Sequence, residues 1–312
     1  MDRATVMTVR GPMVAADLGF TLTHEHPYCR LRQAPHRYDF PDQVEDDELI
    51  AEEVGAYVSL GGQSLVDLTV PEIGRSPAKL VALSARLGLN IVMGCGWYRE
   101  SYYRPEERLD RRQVPDLADE LIREITDGVG ESGIRPGVIG EIGSEKTWVS
   151  PVEERVLRAA ARAHLATGLS IGALHSIGPV APEQLTILED EGVDMARVAV
   201  GHCESMPYDA YLLGLLARGP FLVFDNCGQY RTLGQFEADI LALIVRLIDA
   251  GHERRILLSH DTCKFPQFRR HGGPGLTYLA ETFLPRLAAL GVPEATIRTI
   301  TAENPARWLA GE

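Results

Sequence analysis

The chain has 312 residues, of which 45% are hydrophobic and 24% are charged, as in an ordinary globular protein. Its net charge of −13 argues against nucleic acid and anionic membranes as partners, because both would repel an acidic surface. The first residues lack the apolar core of a signal peptide, and no apolar run is long enough to span a membrane, so we expect a cytoplasmic protein. The five cysteines are odd in number and widely spaced, which favours reduced thiols.

Strand-like and helix-like segments alternate along nearly the whole chain. The predicted strands are residues 18–24, 64–70, 89–95, 136–142, 169–175, 196–202, 220–226 and 254–260. Amphipathic segments between and after them predict helices at 46–60, 77–87, 115–132, 151–167, 181–191, 208–218, 236–251, 276–290 and 294–309. Several of the predicted strands are apolar on both faces, as parallel strands covered by helices are.

Eight successive strand–helix units predict an α/β fold, a single (β/α)8 TIM barrel. A doubly wound open sheet is the alternative. No linker or low-complexity segment divides the chain, so we expect one domain over residues 1–312. In such a barrel the active site lies at the C-terminal ends of the strands.

Ionisable residues fall at the ends of five predicted strands, beginning with His24-Glu25-His26 on the first. Residues two apart on a strand face the same way, so the imidazoles of His24 and His26 should lie side by side. Each candidate has an ordinary alternative: a hydrogen-bonded buried histidine, a helix-capping or ion-paired glutamate, or an aspartate in a turn. The candidates that should converge on the barrel mouth are His24, His26, Glu141, His175, His202 and Asp261.

Histidine and carboxylate side chains are the usual ligands of zinc and similar ions. Six ligands are too many for one catalytic ion that must keep a position open. The charge of two divalent ions would exceed that of Glu141, Asp261 and one bridging hydroxide by a single unit. The sequence therefore predicts two metal ions, zinc first and manganese or cobalt as alternatives, that activate a carbonyl or phosphoryl oxygen and a shared water.

At these residues the chain resembles the phosphotriesterase family of the amidohydrolase superfamily. The similarity runs from Thr23-His24-Glu25-His26 through Gly140-Glu141-Ile142-Gly143 and Gly201-His202 to Ser259-His260-Asp261. The resemblance implies that His24, His26 and Asp261 hold a buried α metal, and that His175 and His202 hold a more exposed β metal. It also implies that Asp261 takes the proton of the bridging hydroxide during attack.

Two strand ends differ from the pattern of the phosphotriesterases. The best-known members bridge their metals with a carboxylated lysine, whereas the matching segment here offers Glu141, as in the phosphotriesterase-related branch. A carboxylate and a carbamate both present two oxygens and one negative charge. At the seventh strand, Asp225-Asn226 stands where the phosphotriesterases have an aspartate and a histidine, and asparagine cannot relay a proton.

The segment Gly96-Trp97-Tyr98 resembles the Gly-x-Tyr of the family's lactonases, in which the tyrosine contacts the bridging oxygen or the substrate carbonyl. Tyr98 is therefore predicted as a catalytic residue, with a packed aromatic as the alternative. Basic and aromatic residues in the loops favour a small, anionic substrate, although a solvated loop would have the same composition. The predicted substrate-binding residues are Trp97, Tyr98, Arg231, Lys264, Arg269 and Arg270.

The leading hypothesis is a binuclear-metal hydrolase that opens a carboxylic ester, above all a lactone. An amidase for N-acyl amino or sulfonic acids is the second, a phosphotriesterase the third, and a non-catalytic binding barrel the last. Members of the family are often dimers, so a homodimer is a further expectation, although no interface is evident in the sequence.

Overall fold

The computed structural model describes residues 4–31, 43–230 and 235–311. Its main sheet contains eight parallel strands, each hydrogen-bonded to the strand that follows it in the chain. They are β1 (Thr21–Glu25), β2 (Ser64–Asp67), β3 (Asn90–Cys95), β4 (Val138–Ile139), β5 (Ile171–His175), β6 (Val198–Val200), β7 (Phe221–Phe224) and β8 (Ile256–Leu258).

Hydrogen bonds between the first and last strands close the sheet into a barrel. The hydroxyl of Thr23 donates to the carbonyl of Leu258 at 3.1 Å. The backbone N–H of Asp261 donates to the carbonyl of His24 at 3.1 Å. The predicted (β/α)8 barrel is confirmed, and the open-sheet alternative is wrong.

Helices cover the outside of the barrel and follow the strands in alternation. They are α1 (Asp47–Ser59), α2 (Pro77–Leu87), α3 (Val114–Asp127), α4 (Pro151–Thr167), α5 (Ala181–Asp190), α6 (Asp209–Leu216), α7 (Glu237–Asp249), α8 (Leu284–Ala289), α9 (Glu294–Arg298) and α10 (Asn304–Ala310). Local sequence sets their ends: a capping box of Ser150 and Glu153 begins α4, and Gly168, with φ of 74°, ends it. In the described ranges, no helix is long and apolar enough to cross a membrane.

The structure differs from the predicted elements in several places. The fourth strand breaks at Gly140-Glu141 and continues as a short segment, Ile142–Gly143. Helix α3 ends at Asp127 because Gly128, with φ of 96°, turns the chain away. Each of the last two predicted helices contains a π-helical turn, Leu279–Phe283 and Thr299–Glu303. An N-terminal hairpin of Thr5–Thr8 and Gly11–Val14 was not predicted.

The core consists of two layers, one on each face of the strands. Inward-facing apolar side chains such as Val66, Val92 and Leu257 fill the barrel, and Val6 and Trp308 belong to the same cluster. The outward-facing side chains pack beneath the helices. Because the barrel interior is apolar, polar side chains gather at its C-terminal mouth, where the predicted ligands lie.

Candidate metal centre and cavity

The six predicted metal ligands meet at the C-terminal mouth of the barrel. His24, His26 and Glu141 each place one ligand atom within 4.8 Å of the others, and Glu141, His175 and His202 do the same. The Oδ1 atom of Asp261 lies 3.2 Å from His26 Nε2 and 3.8 Å from His24 Nε2. Glu141 belongs to both groups and is therefore placed to bridge two ions.

Two carboxylates hold His24 and His202 from opposite sides. Asp225 Oδ2 lies 2.7 Å from Nδ1 of His24, and its Oδ1 lies 2.9 Å from Nδ1 of His202. On the other side, Glu141 Oε2 lies 3.7 Å from His24 Nε2, and Glu141 Oε1 lies 3.5 Å from His202 Nε2. If each Nδ1–H donates to Asp225, both Nε2 atoms are left unprotonated and face Glu141, as metal ligands do.

A second series of hydrogen bonds orients His26. The hydroxyl of Thr69 donates to Oδ1 of Asp67 at 2.6 Å, so its oxygen is free to accept from Nδ1–H of His26 at 3.0 Å. This arrangement directs Nε2 of His26 toward Asp261, and in the tautomer that carries its proton on Nδ1 this atom would be available to a metal ion. Three of the four histidines thus have a partner behind the ring that sets which nitrogen faces the mouth.

Unpartnered buried atoms at this site fit a cationic ligand. Oε1 of Glu141 and Nδ1 of His175 are buried and make no hydrogen bond, which is costly inside a protein. Burial and the neighbouring His202 hold the pKa of His175 well below its ordinary value, so the ring is neutral. Burial opposes ionisation of Glu141, but the surrounding histidines, His24 first, hold its pKa well below its ordinary value. A neutral imidazole at His175 beside an ionised Glu141 suits a divalent metal ion.

The backbone at two of the site residues is strained. His202 and Asp261 have φ of 54° and 50°, a left-handed conformation that is uncommon outside glycine. Hydrogen bonds hold both: the N–H of His202 donates to Oδ1 of Asp225 at 3.0 Å, and that of Asp261 donates to the carbonyl of His24. The turns aim these two side chains at the mouth.

Glu25, between the two histidines of β1, faces away from the ligand cluster and ties β1 to the loop after β8. Its Oε1 accepts from the backbone N–H of His260 at 2.9 Å and from the hydroxyl of Ser259 at 2.8 Å. Its Oε2 accepts from the N–H of Thr262 at 2.9 Å. The N–H of Leu279 donates to Nε2 of His260, so Nδ1–H of that ring donates to Glu25. These bonds fix the position of Asp261.

A cavity of about 360 Å³ opens above the ligands. Two of the predicted substrate-binding residues, Tyr98 and Lys264, line it together with His26, His175, His202 and Asp261. The ring of Tyr98 stands edge-on to that of His175, with centroids 5.2 Å apart. Burial, with Glu141 nearby, raises the pKa of Tyr98 well above its ordinary value, so the phenol keeps its proton.

The other predicted substrate-binding residues lie elsewhere. Trp97 is buried in the hydrophobic core, with the guanidinium of Arg112 5.9 Å from its ring. Arg269 and Arg270 form ion pairs with Glu53 and Glu52 and do not line the cavity. Arg231 falls outside the described residues.

Two charged residues that line the cavity were missed in the sequence. Arg99, directly after Tyr98, lines the wall with its guanidinium over the rings of Tyr98 and Tyr102. Glu204 lines it with both carboxyl oxygens buried and without hydrogen-bond partners, and burial followed by the nearby Asp225 raises its pKa to about 8. The sequence offered one signal for each residue: Arg99 directly follows Tyr98, and Glu204 lies close to the end of the sixth strand.

Comparison with known sequences identifies relatives along nearly the full length of the chain. A sequence model of the phosphotriesterase family matches residues 4–309. The phosphotriesterase homology protein of Escherichia coli is 30% identical and covers 93% of this chain and 97% of its own length. The N-acetyltaurine hydrolase of Xenopus tropicalis is 28% identical over 97% of both chains.

Solved structures share the same barrel. A resiniferatoxin-binding protein from Rhodobacter sphaeroides superposes with a TM-score of 0.91 at 32% identity, covering 98% of this chain and 95% of its own. A lactonase from Listeria monocytogenes superposes with a TM-score of 0.89 at 26% identity, covering 98% and 99%.

Proposed function

This chain belongs to the phosphotriesterase family of hydrolases, and from that premise we propose that it opens a carboxylic ester, specifically a lactone, at a two-metal centre. The observation that carries the proposal is the position of Tyr98, whose protonated phenol lines the cavity beside His175. A phenol there can donate a hydrogen bond to a carbonyl oxygen, where negative charge develops during attack.

The residues of the seventh strand end support a carbonyl rather than a phosphotriester substrate. Asp225 is occupied by His24 and His202, one with each carboxylate oxygen. Asn226, which follows it, places Nδ2 3.4 Å from His202 Nδ1, and an amide cannot relay a proton. Proton transfer therefore falls to Asp261, whose side chain is 20% exposed and lines the cavity.

The six ligands described above would hold two divalent ions, which when bound supply Lewis acidity and a nucleophile at neutral pH. Asp225 and Thr69 keep the Nε2 atoms of three histidines directed at the centre. Asp261 accepts a proton during attack and returns it to the leaving oxygen. Tyr98 orients the carbonyl.

A second candidate is an amidase for small N-acyl acids. It is favoured by Arg99, a cationic side chain on the cavity wall. It also matches the name of the N-acetyltaurine hydrolases among the relatives. The same groups would serve either reaction, because ester and amide differ in the leaving group rather than in the attacked carbonyl.

Turnover by protein loaded with zinc, manganese or cobalt separates these functions. The panel contains γ- and δ-lactones, N-acyl amino and sulfonic acids of matched size, and an aryl phosphotriester. We expect kcat/KM for the best lactone to exceed that for matched amides and for the phosphotriester by at least about tenfold. Absence of lactone hydrolysis from protein that carries two metal equivalents would contradict the proposal.

A further inference from the structure

We propose that Arg99, with the rings of Tyr98 and Tyr102, forms an anion subsite that binds a carboxylate or sulfonate group of the substrate. The inference rests on the proposed hydrolysis of a carbonyl compound at the adjacent metal centre. It assigns to Arg99 a role in specificity and leaves the chemical step to the metal ligands, Asp261 and Tyr98.

The aromatic rings hold the Arg99 guanidinium in place on the cavity wall. Its Cζ lies 4.9 Å from the centroid of the Tyr98 ring and 5.1 Å from that of Tyr102. The two rings are themselves in edge-to-face contact, with centroids 4.9 Å apart. Because the Arg99 side chain is only 14% exposed, the guanidinium is largely removed from water while it borders the cavity. Such a group is pre-organised for a ligand.

The hydrogen-bonding capacity of this guanidinium is incompletely used. Its Nε is buried and has no hydrogen-bond partner. The carboxylate of Glu145 lies 3.4 Å from Nη1, longer than a charge-assisted hydrogen bond, and also accepts from the hydroxyl of Ser101 at 2.6 Å. A buried cation with unmet donors gains from a further anionic acceptor.

The subsite and the metal centre share one aromatic ring. The centroid of the Tyr98 ring lies 5.2 Å from that of His175 and 4.9 Å from Cζ of Arg99. An anion at Arg99 therefore lies close to a carbonyl at the metal centre, and the substrate must be a short acid. Lys264 also lines the cavity and adds positive charge there.

The first test compares an acid with its neutral counterpart. The acid is the γ-lactone that carries a carboxylate on its ring, and the counterpart is the methyl ester of that carboxylate. We expect Arg99→Gln to raise KM for the acid by about 10- to 100-fold, with kcat nearly unchanged, because a hydrogen bond to a charged group is lost. KM for the neutral ester should change less than about threefold. Arg99→Lys should retain part of the preference for the acid.

Arg112→Gln is the matched control, since Arg112 also contacts an aromatic ring in the same region but does not line the cavity. It should leave both KM values unchanged. If Arg99→Gln and Arg112→Gln behave alike toward the acid, the subsite is refuted. Thermal unfolding of each variant establishes that the barrel is intact, and Arg99→Lys carries the test should Arg99→Gln fail to fold.

Binding of glutarate, which is not hydrolysed, gives a measurement independent of turnover. Wild-type protein should bind glutarate more tightly than butyrate, and Arg99→Gln should remove that advantage. If no lactone is hydrolysed but glutarate binding depends on Arg99, the proposed function fails and the subsite stands. If lactones are hydrolysed and glutarate binds equally to wild type and Arg99→Gln, the function stands and the subsite fails.

Discussion

The floor of the cavity and its wall are held in place by different interactions. The floor consists of the six predicted ligands, His24, His26, Glu141, His175, His202 and Asp261, which lie on strands or directly after them. The wall consists of Tyr98, Arg99, Tyr102 and Lys264, which belong to the loops after β3 and β8. Strand geometry and buried hydrogen bonds orient most of the floor, whereas ring contacts and ion pairs orient the wall. In the proposed function, metal binding and proton transfer rest on the strand ends, whereas substrate choice and the contact of Tyr98 with the carbonyl rest on the loops.

The strongest expected effect comes from the floor. Asp261→Asn keeps the shape of the side chain but removes its capacity to accept a proton, so kcat should fall by about 10²- to 10⁴-fold. The thermal midpoint should stay near that of the wild type, because the backbone N–H of Asp261 still bonds to the carbonyl of His24. Steady-state kinetics and thermal unfolding measure both. Near-normal turnover would remove Asp261 from the proposed mechanism.

Removal of the support beneath the floor should have a smaller effect. Asp225→Asn retains a side chain of equal size but cannot accept from His24 and His202 with both oxygens, so metal affinity should fall about 10- to 100-fold. Competition with a chelator measures the change. Asp209→Asn, which alters a surface ion pair with Arg246, is the control and should bind metal like the wild type. Equal affinities in the two variants would show that Asp225 does not orient the ligands.

A buried carboxyl group outside the floor of the cavity, that of Glu72, should affect stability. Glu72 is fully buried with both oxygens unpartnered, and burial raises its pKa to about 8. This raised pKa means that the folded state prefers the proton, so the stability from Glu72 is present below pH 4.5 and is lost as the pH rises through 8. Glu72→Gln should therefore raise the thermal midpoint at pH 8, relative to the wild type, by about 2–4 °C. At pH 4.5 the two midpoints should agree. The opposite pH trend would show that Glu72 is ionised in the folded protein.

Loop arginines outside the cavity should have the smallest effect. Arg270 pairs with Glu52 on the surface, so Arg270→Gln should change kcat and KM for the anionic lactone by less than about twofold. The values of kcat and KM for the same lactone with Arg99→Gln show, for comparison, the effect of a residue of the wall. A large effect at Arg270 would place the side chain of Arg270 at the substrate and reverse the assignment of wall residues.

Sequence reasoning located the floor because the period of a strand and the rules of the barrel fix where strand-end side chains meet. His24 and His26 could be placed together from their spacing alone. The pair of hydrogen bonds that Asp225 accepts from His24 and His202 could not be predicted from the sequence. It depends on the distance between β1 and β6, which lie far apart in the chain. The break at Gly140-Glu141 was equally hidden, because Val138, Ile139 and Ile142 are consistent with a single strand.

The residues of the wall were harder to predict, because the partners of a loop side chain depend on which other parts of the fold lie near it. Arg269 and Arg270 have the charge that suits an anionic substrate, but Glu53 and Glu52 of α1 lie within reach and pair with them. Trp97 follows the third strand as Tyr98 does, yet it packs into the core. Arg99 faces the cavity because two aromatic rings support it there.

The central claim is that Glu141 bridges two metal ions at the barrel mouth. Anomalous diffraction from crystals of metal-loaded protein tests it most directly. The claim predicts two peaks about 3.5–4 Å apart, one beside His24 and His26 and the other beside His175 and His202, with Glu141 between them. A single peak, or two peaks with Glu141 contacting neither, would contradict it.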